Sequence, residues 1–505
     1  MKNLSIIIAL IAGLILTSCG RRVPDFVNSI PDDAVVVASL HPLRLHTKGQ
    51  VNSLENLKNK LKNEVWGMIL EDPLSSGLMM DEYLYVFVIM EEESPVIGVV
   101  SGMNDTDRFT ATLEKIKDDI RSEFKEMEGY TYIQPDEQGI VSWNNKMMIL
   151  LASPDAEEFE TAYWTGTLDQ LYDPMKEESI TSMVDFMDFH GNMKDLNLWV
   201  SSDEIQPLLE KAMPDTLKFE LPVDLYNNYA HIFCDFADGA MIVTAETRFS
   251  EEVEKNVEQF LVLKPSLNED MLKLAPGGDL LLAVSGSMDL TKLQNLVDRF
   301  DPPKMDQMGG KLEKATGIPP RELIQAFTGD FTLAVNAIEG EAMIPLEIFI
   351  GLGVNNRLIQ EKLMDSLKTM ARVEQQEDFF VINVQGTEIY SGIVNDLWVI
   401  TNAKGYKENA EDGEVEPSLL DSRFRDFSDG SMGMYMNLDL SEYPSLVKSA
   451  LSQKPGQKMW LEHITGSFKS MGASAGNYTG RFTLETSKPS ENSLYTLLKM
   501  TDVPE

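Results

Sequence analysis

Short apolar runs bounded by turn residues recur along the chain, and this pattern predicts β-strands. One run, at residues 34–40, follows a Pro-Asp-Asp turn, and a similar run at 280–285 follows a Pro-Gly-Gly turn. A later predicted strand at 96–102 follows a turn that contains a proline, and so does a predicted strand at 346–353. The two halves of the chain therefore begin with the same succession of elements.

A helical pattern follows each of these later strands. Asn104 or Asp105 is a favourable N-cap in the first half, and the second helix begins at Asn355 and Asn356. Apolar residues then recur at steps of three and four, which places one apolar stripe on each predicted helix. The stripes consist of Phe109, Leu113, Ile116, Ile120, Phe124 and Met127 in the first half, and of Ile359, Leu363, Leu367 and Met370 in the second.

Each half continues with a meander of short strands and ends with a strand, a helix and a hairpin. The predicted meanders occupy 130–133, 139–143 and 147–152 in the first half, and 379–384, 387–393 and 397–401 in the second. The closing hairpins occupy 232–236 with 240–247 and 464–470 with 472–485, before a last helix near Glu491. Matching positions keep a nearly constant offset, such as Pro95 with Pro345, which indicates an internal repeat.

These elements predict an α+β fold. Strands joined by short turns pair antiparallel, and the helices between such blocks pack against the sheet. We expect two tandem, similar units of antiparallel sheet with helices packed on one face, related by a pseudo-two-fold duplication. The first α+β repeat would span residues 31–265 and the second 266–505. A doubly wound parallel sheet is the alternative, although the chain lacks strict alternation of strands and helices.

The N-terminus has the pattern of an export signal. An uncharged apolar run at residues 4–16 follows Lys2. This run is shorter than the roughly 20 apolar residues that a membrane-spanning helix needs. Basic, apolar and small residues in this order predict a secretory signal peptide over residues 1–18.

A cysteine stands at the predicted cleavage site. Leu16, Thr17 and Ser18 precede Cys19 and resemble the lipobox that the lipoprotein signal peptidase recognises. The resemblance implies lipidation of Cys19 and a short tether over residues 19–30. An ordinary signal peptide with an incidental cysteine is the alternative.

The composition limits the class of partners. The chain has 43 Lys and Arg against 81 Asp and Glu, a formal net charge of −38. Such a charge repels phosphate backbones, so we expect no nucleic-acid binding. With Cys19 lipidated, Cys234 cannot form an intramolecular disulfide, and its apolar surroundings in the sequence predict a buried thiol.

No set of residues has a recognisable catalytic or cofactor signature. Gly351 and Gly353 lack the third glycine of a dinucleotide-binding loop. The five histidines do not pair at helical spacing with a carboxylate, and the extended stretch between His41 and His46 offers no clear ligand geometry. The acidic loop at 409–416 does not follow the order of an EF-hand. The sequence therefore predicts no cofactor, no metal ligand and no catalytic residue.

Two further features are candidate surface sites. Trp143 and Trp398 lie in the two meanders, and Trp199 and Tyr435 occupy related positions. Such aromatic residues could form a glycan platform if exposed, but packing in the sheet core is the favoured interpretation. Thr216, between Asp215 and Leu217, resembles the short O-glycosylation motif of Bacteroides-like periplasmic proteins and is a candidate O-glycosylation site.

The chain resembles a family of Bacteroidota lipoproteins with a large duplicated domain of unknown function. The resemblance rests on the lipobox, the opening Ile30-Pro31-Asp32-Asp33-Ala34-Val35 and the strand Gly329-Asp330-Phe331. The resemblance covers the mature chain. It implies a cellular location and a fold, but no established activity. In such bacteria acidic residues after the cysteine usually accompany export to the cell surface, whereas Arg21 and Arg22 follow here. We therefore expect a lipid-anchored protein on the periplasmic face of the outer membrane.

The absence of a catalytic signature favours a binding or structural role over an enzyme. We expect a cell-envelope protein that contacts the membrane through lipid on Cys19 and binds an envelope protein or a glycan. A periplasmic hydrolase that uses dispersed acidic residues is the alternative, because so acidic a chain offers many carboxylate pairs.

Overall fold

The computed structural model divides the chain into two compact units. Unit 1 consists of Met1–Pro214, Leu225–Asp235 and Thr501–Glu505, and unit 2 consists of Asp215–Asp224 and Phe236–Met500. The residues that the structure describes are 23–61, 72–91, 94–115, 122–136, 138–154, 161–203, 227–258, 261–300, 310, 313–314, 318–338, 345–368, 372–376, 379–384, 386–410, 413–451 and 464–502. The division at residue 235 falls before the repeat boundary predicted at 265, which stays a prediction.

Unit 1 contains an antiparallel sheet. Its strands are β1 (Val36–Leu40), β2 (Leu84–Glu91), β3 (Ser94–Gly102), β4 (Lys125–Met127), β5 (Tyr130–Asp136), β6 (Gly139–Trp143), β7 (Met147–Ala152), β8 (Leu196–Ser201) and β9 (Tyr229–Ala237). They pair in the order β4-β5-β6-β7-β3-β2-β1-β8-β9. Its helices are α1 (Pro42–Lys48), α2 (Glu55–Leu61), α3 (Thr106–Glu114), α4 (Thr161–Tyr172) and α5 (Val184–Gly191).

Unit 2 contains antiparallel strands in a similar arrangement. Its strands are β10 (Ala240–Arg248), β11 (Leu280–Ser287), β12 (Phe327–Ala337), β13 (Leu346–Val354), β14 (Arg372–Gln376), β15 (Phe379–Val384), β16 (Thr387–Val394), β17 (Leu397–Thr401), β18 (Met432–Asn437), β19 (Phe468–Ala475) and β20 (Thr479–Thr486). They pair in the order β14-β15-β16-β17-β13-β12-β11-β18-β19-β20-β10. From β14 to β19 this order follows that of unit 1 from β4 to β9, strand for strand.

The helices described in unit 2 differ in length from those of unit 1. They are α6 (Glu251–Val257), α7 (Glu269–Leu274), α8 (Leu290–Phe300), α9 (Pro320–Ala326), α10 (Leu358–Leu367), α11 (Tyr406–Asn409), α12 (Ser445–Leu451) and α13 (Ser493–Thr501). After the meander, unit 1 forms the 12-residue helix α4, whereas unit 2 forms the four-residue helix α11.

Apolar clusters cover both faces of each sheet. In unit 1, α4 and α5 pack over the face that bears Tyr85, whereas α3 packs over the face that bears Leu84. In unit 2, α7 packs over the face that bears Phe349, whereas α10 packs over the face that bears Trp398. The prediction that helices pack on one face of each sheet is therefore wrong. Consecutive apolar residues, as in Met147–Ala152, bury both sides of a strand, and an amphipathic strand would bury only one.

Most predicted strands are confirmed, and the differences have physical causes. The strands at 139–143, 147–152, 379–384 and 397–401 match residue for residue. The edge strands β4 and β14 were missed because their polar, exposed residues lack an apolar pattern. In the last hairpin, β19 continues to Ala475, so the turn lies later than predicted at residue 471. Met127 belongs to β4 and not to the predicted helix, which is described only as far as α3.

Candidate functional site

A cavity of about 850 Å³ opens in unit 1 beside the first described residues, and we call it the N-terminal cavity. Its lining comes from four separate segments of unit 1. The lining residues are Val23, Pro24, Asp25, Phe26, Asn28, Ser29, Met79, Glu82, Asn144, Lys146, Met147, Tyr172, Pro174, Lys176 and Ser179. This volume lies within the range of about 300–1,000 Å³ that is typical of small-molecule sites.

The first wall is a 3₁₀ helix at Asp25–Ser29. Its Phe26 and Val27 are buried in the core, although residues 19–30 were predicted to be a tether. The backbone N–H of Ile180 donates to Ile30 O at 2.9 Å, and Thr181 Oγ1 donates to Asn28 Oδ1 at 2.6 Å. These bonds fix the segment to the loop that forms the opposite wall, so the chain is already folded at Val23.

Packing around Gly102 shapes a second part of the wall. A Cβ atom on Gly102 would lie 2.5 Å from the Met79 sulfur and 2.9 Å from the Phe26 ring. Only glycine lets these two lining side chains approach the end of β3 so closely. The glycine that ends the predicted strand therefore has a packing role at the cavity.

The inner wall is held by buried aromatic and hydroxyl groups. The Tyr172 ring stacks on the Tyr130 ring with centroids 4.7 Å apart, and its hydroxyl donates to Ser142 Oγ at 3.1 Å. Burial raises the pKa of Tyr172 well above its ordinary value, so the phenol stays neutral. Ser29 Oγ also donates to the Met147 sulfur at 3.1 Å. These contacts give the cavity a preformed wall.

The charged lining residues are mixed in sign. Lys146, Lys176 and Asp25 are exposed, and Glu82 is half-buried. Neither lysine forms an ion pair with another described residue within 4.0 Å. The described lining thus combines apolar surface with two ammonium groups and two carboxylates, and the two ammonium groups could contact the anionic part of a ligand. Among its described residues the lining contains neither histidine nor cysteine.

A buried polar cluster in the same unit serves the fold. Asp185 Oδ2 accepts a hydrogen bond from Trp199 Nε1 at 2.9 Å and lies 2.7 Å from His231 Nε2. His231 is fully buried among aromatic rings, including that of Phe189 at a centroid distance of 5.3 Å. A substrate cannot reach this histidine, so we assign the cluster to core stability.

The structure places the other residues singled out from the sequence. Trp143, Trp398, Trp199 and Tyr435 are all buried, which confirms their core packing. Cys234 is half-buried, and burial with the nearby carboxylates of Asp195 and Asp235 raises its pKa to about 11. Its thiol is therefore largely protonated and weakly nucleophilic at neutral pH.

His41 differs from expectation. The stretch after it was interpreted as extended, but it forms α1, and His41 Nδ1 accepts from Arg44 N at 3.4 Å as the N-cap. Pro42 at the first helical position explains this helix start.

The predicted modification sites lie outside the described residues. These are the signal-peptidase residues Leu16, Thr17 and Ser18, the lipidation residue Cys19 and the candidate O-glycosylation residue Thr216. Within the described ranges, no group of three or more His, Cys, Asp or Glu side chains is placed to hold a metal ion. None of the helices described is both long and apolar enough to cross a membrane.

The N-terminal cavity was missed from the sequence. Its residues are separated by up to about 150 positions, and each segment alone has an ordinary turn or loop composition. The one local signal was the Val-Pro-Asp-Phe stretch at residues 23–26, because two apolar residues inside the tether predicted at 19–30 favour packing over solvation.

Comparisons with known proteins give a family and a weak structural likeness. None of the curated proteins compared matches this chain. Crystal form I of TP0453 has a TM-score of 0.29 at 9% identity and covers 49% of this chain and 90% of its own. Crystal form III has a TM-score of 0.30 at 10% identity and covers 49% of this chain and 91% of its own. TM-scores this low indicate only a weak likeness. The match over residues 26–462 shows that the chain belongs to the DUF4836 family, a domain of unknown function.

Proposed function

We propose that this protein is a lipid-anchored envelope protein that binds a small amphipathic ligand in the N-terminal cavity and performs no catalysis. The observation that carries the proposal is the cavity of about 850 Å³ with its preformed apolar wall. Val23, the first described lining residue, follows the proposed lipidated Cys19 by four positions. An extended chain of that length spans at most about 14 Å, so the cavity lining would stay close to the anchored end.

The lining favours a ligand with both apolar and anionic parts. Phe26, Met79 and Met147 offer apolar contact, which contributes about 25 cal/mol per Å² of surface buried. Lys146 and Lys176 offer two ammonium groups without a described carboxylate partner. A molecule with a short hydrocarbon part and a carboxylate or phosphate would use both features.

The proposal also includes the cellular location of the protein and the origin of its two units. We place the protein among Bacteroidota lipoproteins, on the periplasmic face of the outer membrane, on the strength of the lipobox and of Arg21 and Arg22. We also propose that the two units arose by duplication, as two tandem α+β repeats at 31–265 and 266–505. The shared strand order from β4 to β9 and from β14 to β19 supports this origin.

The test is photo-crosslinking in intact cells of the native host. A benzoylphenylalanine in place of Lys176 would report on the cavity, and the same group in place of Lys125 would be the control. Both lysines are exposed residues of unit 1, but Lys125 lies on the edge strand β4. We expect a small-molecule adduct at 176 and none at 125, as read by mass spectrometry of the labelled peptide.

Other outcomes would contradict the proposal. A protein adduct at 176 would favour an envelope protein partner, and the absence of any adduct at 176 would remove the cavity as a ligand site. Turnover of a defined hydrolase substrate that is lost when one carboxylate is neutralised would favour the hydrolase that uses dispersed acidic residues.

A further inference from the structure

A second cavity lies in unit 2, where the two units differ. In unit 1 the long helix α4 covers the meander, and its Trp164 is fully buried in the cluster that contains Tyr130 and Tyr132. In unit 2 the chain after β17 forms the four-residue helix α11, and two short 3₁₀ helices at Leu419–Asp421 and Arg423–Phe427 follow before β18. A cavity of about 370 Å³ is left beside α11, and we call it the meander pocket.

The meander pocket has an aromatic floor that the backbone fixes in place. Phe379 lies opposite Gly392 in the β15–β16 pair, and its ring occupies the space within 2.5–2.6 Å of where a Gly392 Cβ atom would stand. Tyr406 is only 3% exposed, and its hydroxyl donates to Leu274 O at 2.8 Å. Two of the lining rings are therefore held without any ligand.

The rim of the meander pocket is polar and includes a third ring. Tyr390 is half-buried, and its hydroxyl donates to Glu388 Oε2 at 2.7 Å, which orients the ring. Burial, Glu388 and the nearby Glu408 raise the pKa of Tyr390 to about 12, so its hydroxyl stays neutral. Gln376, Lys404 and Glu408 complete the lining with an amide, an ammonium and a carboxylate, all on exposed residues.

Charge and shape together select a class of ligand. The lining holds one cation, Lys404, and one anion, Glu408, while Glu388 beside Tyr390 and Glu347 near Tyr406 add negative charge that disfavours an anionic ligand. A volume near the lower end of the usual range for ligand sites suits a small ligand. Aromatic rings offer flat apolar surface to C–H groups, while the amide and charged groups offer several hydrogen-bond donors and acceptors.

We propose that the meander pocket binds a neutral saccharide. The C–H face of a sugar ring packs on the rings of Tyr390 and Phe379, and its hydroxyls hydrogen-bond to Gln376, Lys404 and Glu408. The site is separate from the N-terminal cavity, and it does not depend on the lipid anchor or on the proposed amphipathic ligand.

Saturation-transfer NMR on the full chain in lipid nanodiscs tests this proposal. The probes are cellotriose, maltotriose and chitotriose, each at about 10 mM, which detects dissociation constants up to the millimolar range. We expect saturation transfer to at least one of them. Glu408→Gln and Tyr390→Ala are each expected to raise the dissociation constant, taken from the transfer as a function of saccharide concentration, at least about fivefold, which corresponds to about 1 kcal/mol.

A matched control separates local recognition from a general loss of structure. Tyr478→Ala removes another half-buried tyrosine of unit 2, one that lines a different cavity. Tyr478→Ala should leave the saturation transfer unchanged. The double variant Lys146→Ala with Lys176→Ala, in the N-terminal cavity of unit 1, should also leave it unchanged. Absence of transfer to all three probes would overturn the proposal, as would equal transfer in Glu408→Gln or a clear preference for the anionic trigalacturonate.

Discussion

Replacing Gly102 by alanine probes how tightly the N-terminal cavity is built. The new Cβ atom would stand 2.5 Å from the Met79 sulfur and 2.9 Å from the Phe26 ring. Ordinary contacts lie at about 3.5–4.0 Å, so the sulfur has to move by about 1 Å and the ring by about half as much. Such overpacking costs about 1–3 kcal/mol, and the lower entropy of unfolded alanine offsets about 0.4–1 kcal/mol. We therefore expect Gly102→Ala to lower the free energy of unfolding by about 1–2 kcal/mol.

Gly166→Ala is the matched control, because the same chemical change should have the opposite sign. Gly166 lies inside α4, and outside its own helical turns no heavy atom lies within 4 Å of where its Cβ atom would stand. Alanine is more favourable than glycine in a helix interior by about 0.8–1.0 kcal/mol. Urea unfolding followed by tryptophan fluorescence measures both variants. Equal shifts of the two midpoints, or a stabilised Gly102→Ala, would refute the packing described around the cavity.

Three further outcomes are expected. Cys19→Ala should abolish labelling by an alkyne fatty acid and release the protein from the membrane fraction; retained labelling would exclude Cys19 as the lipidation residue. Asp185→Ala should lower the free energy of unfolding by about 2–4 kcal/mol in urea, because its half-buried carboxylate contacts both Trp199 and His231. Asp173→Ala, at an exposed position after α4, should change it by about 0.5 kcal/mol or less. Burial alone would raise the pKa of Asp330, but hydrogen bonds to its carboxylate outweigh burial and lower the pKa. The Asp330 carboxylate therefore stabilises the fold fully above its unfolded pKa of about 3.9, and this stabilisation is lost as the pH falls through the lower folded pKa. Asp330→Asn should make the free energy of unfolding less dependent on pH in the acid range. An unchanged acid profile would contradict this expectation.

The sequence predicted the strands well where local pattern decides the structure. Apolar runs with turn residues at both ends placed β6, β7, β15 and β17 correctly, because the length and composition of a short buried strand are visible in the local sequence. The edge strand β14 shows the limit. Its residues Arg372–Gln376 are mostly polar and become a strand only because β15 offers a pairing edge.

The candidate site could not be predicted from the sequence, for a related reason. The N-terminal cavity forms where the segment at Asp25–Ser29 meets loops near residues 79, 146 and 176, and no local pattern encodes that meeting. The meander pocket depends on a difference in helix length between units, between α4 and α11. The sequence did show the positions of the meanders, but not which helix would cover each of them.

Native mass spectrometry of the full chain, isolated from membranes of its own host, tests the central claim most directly. We predict that the wild-type protein carries a small molecule in addition to any covalent lipid. Met79→Trp, which fills the N-terminal cavity, should lose that mass, whereas Met127→Trp on the exposed edge strand should keep it. A wild-type protein without bound small molecule, or one whose bound mass persists in Met79→Trp, would contradict the account.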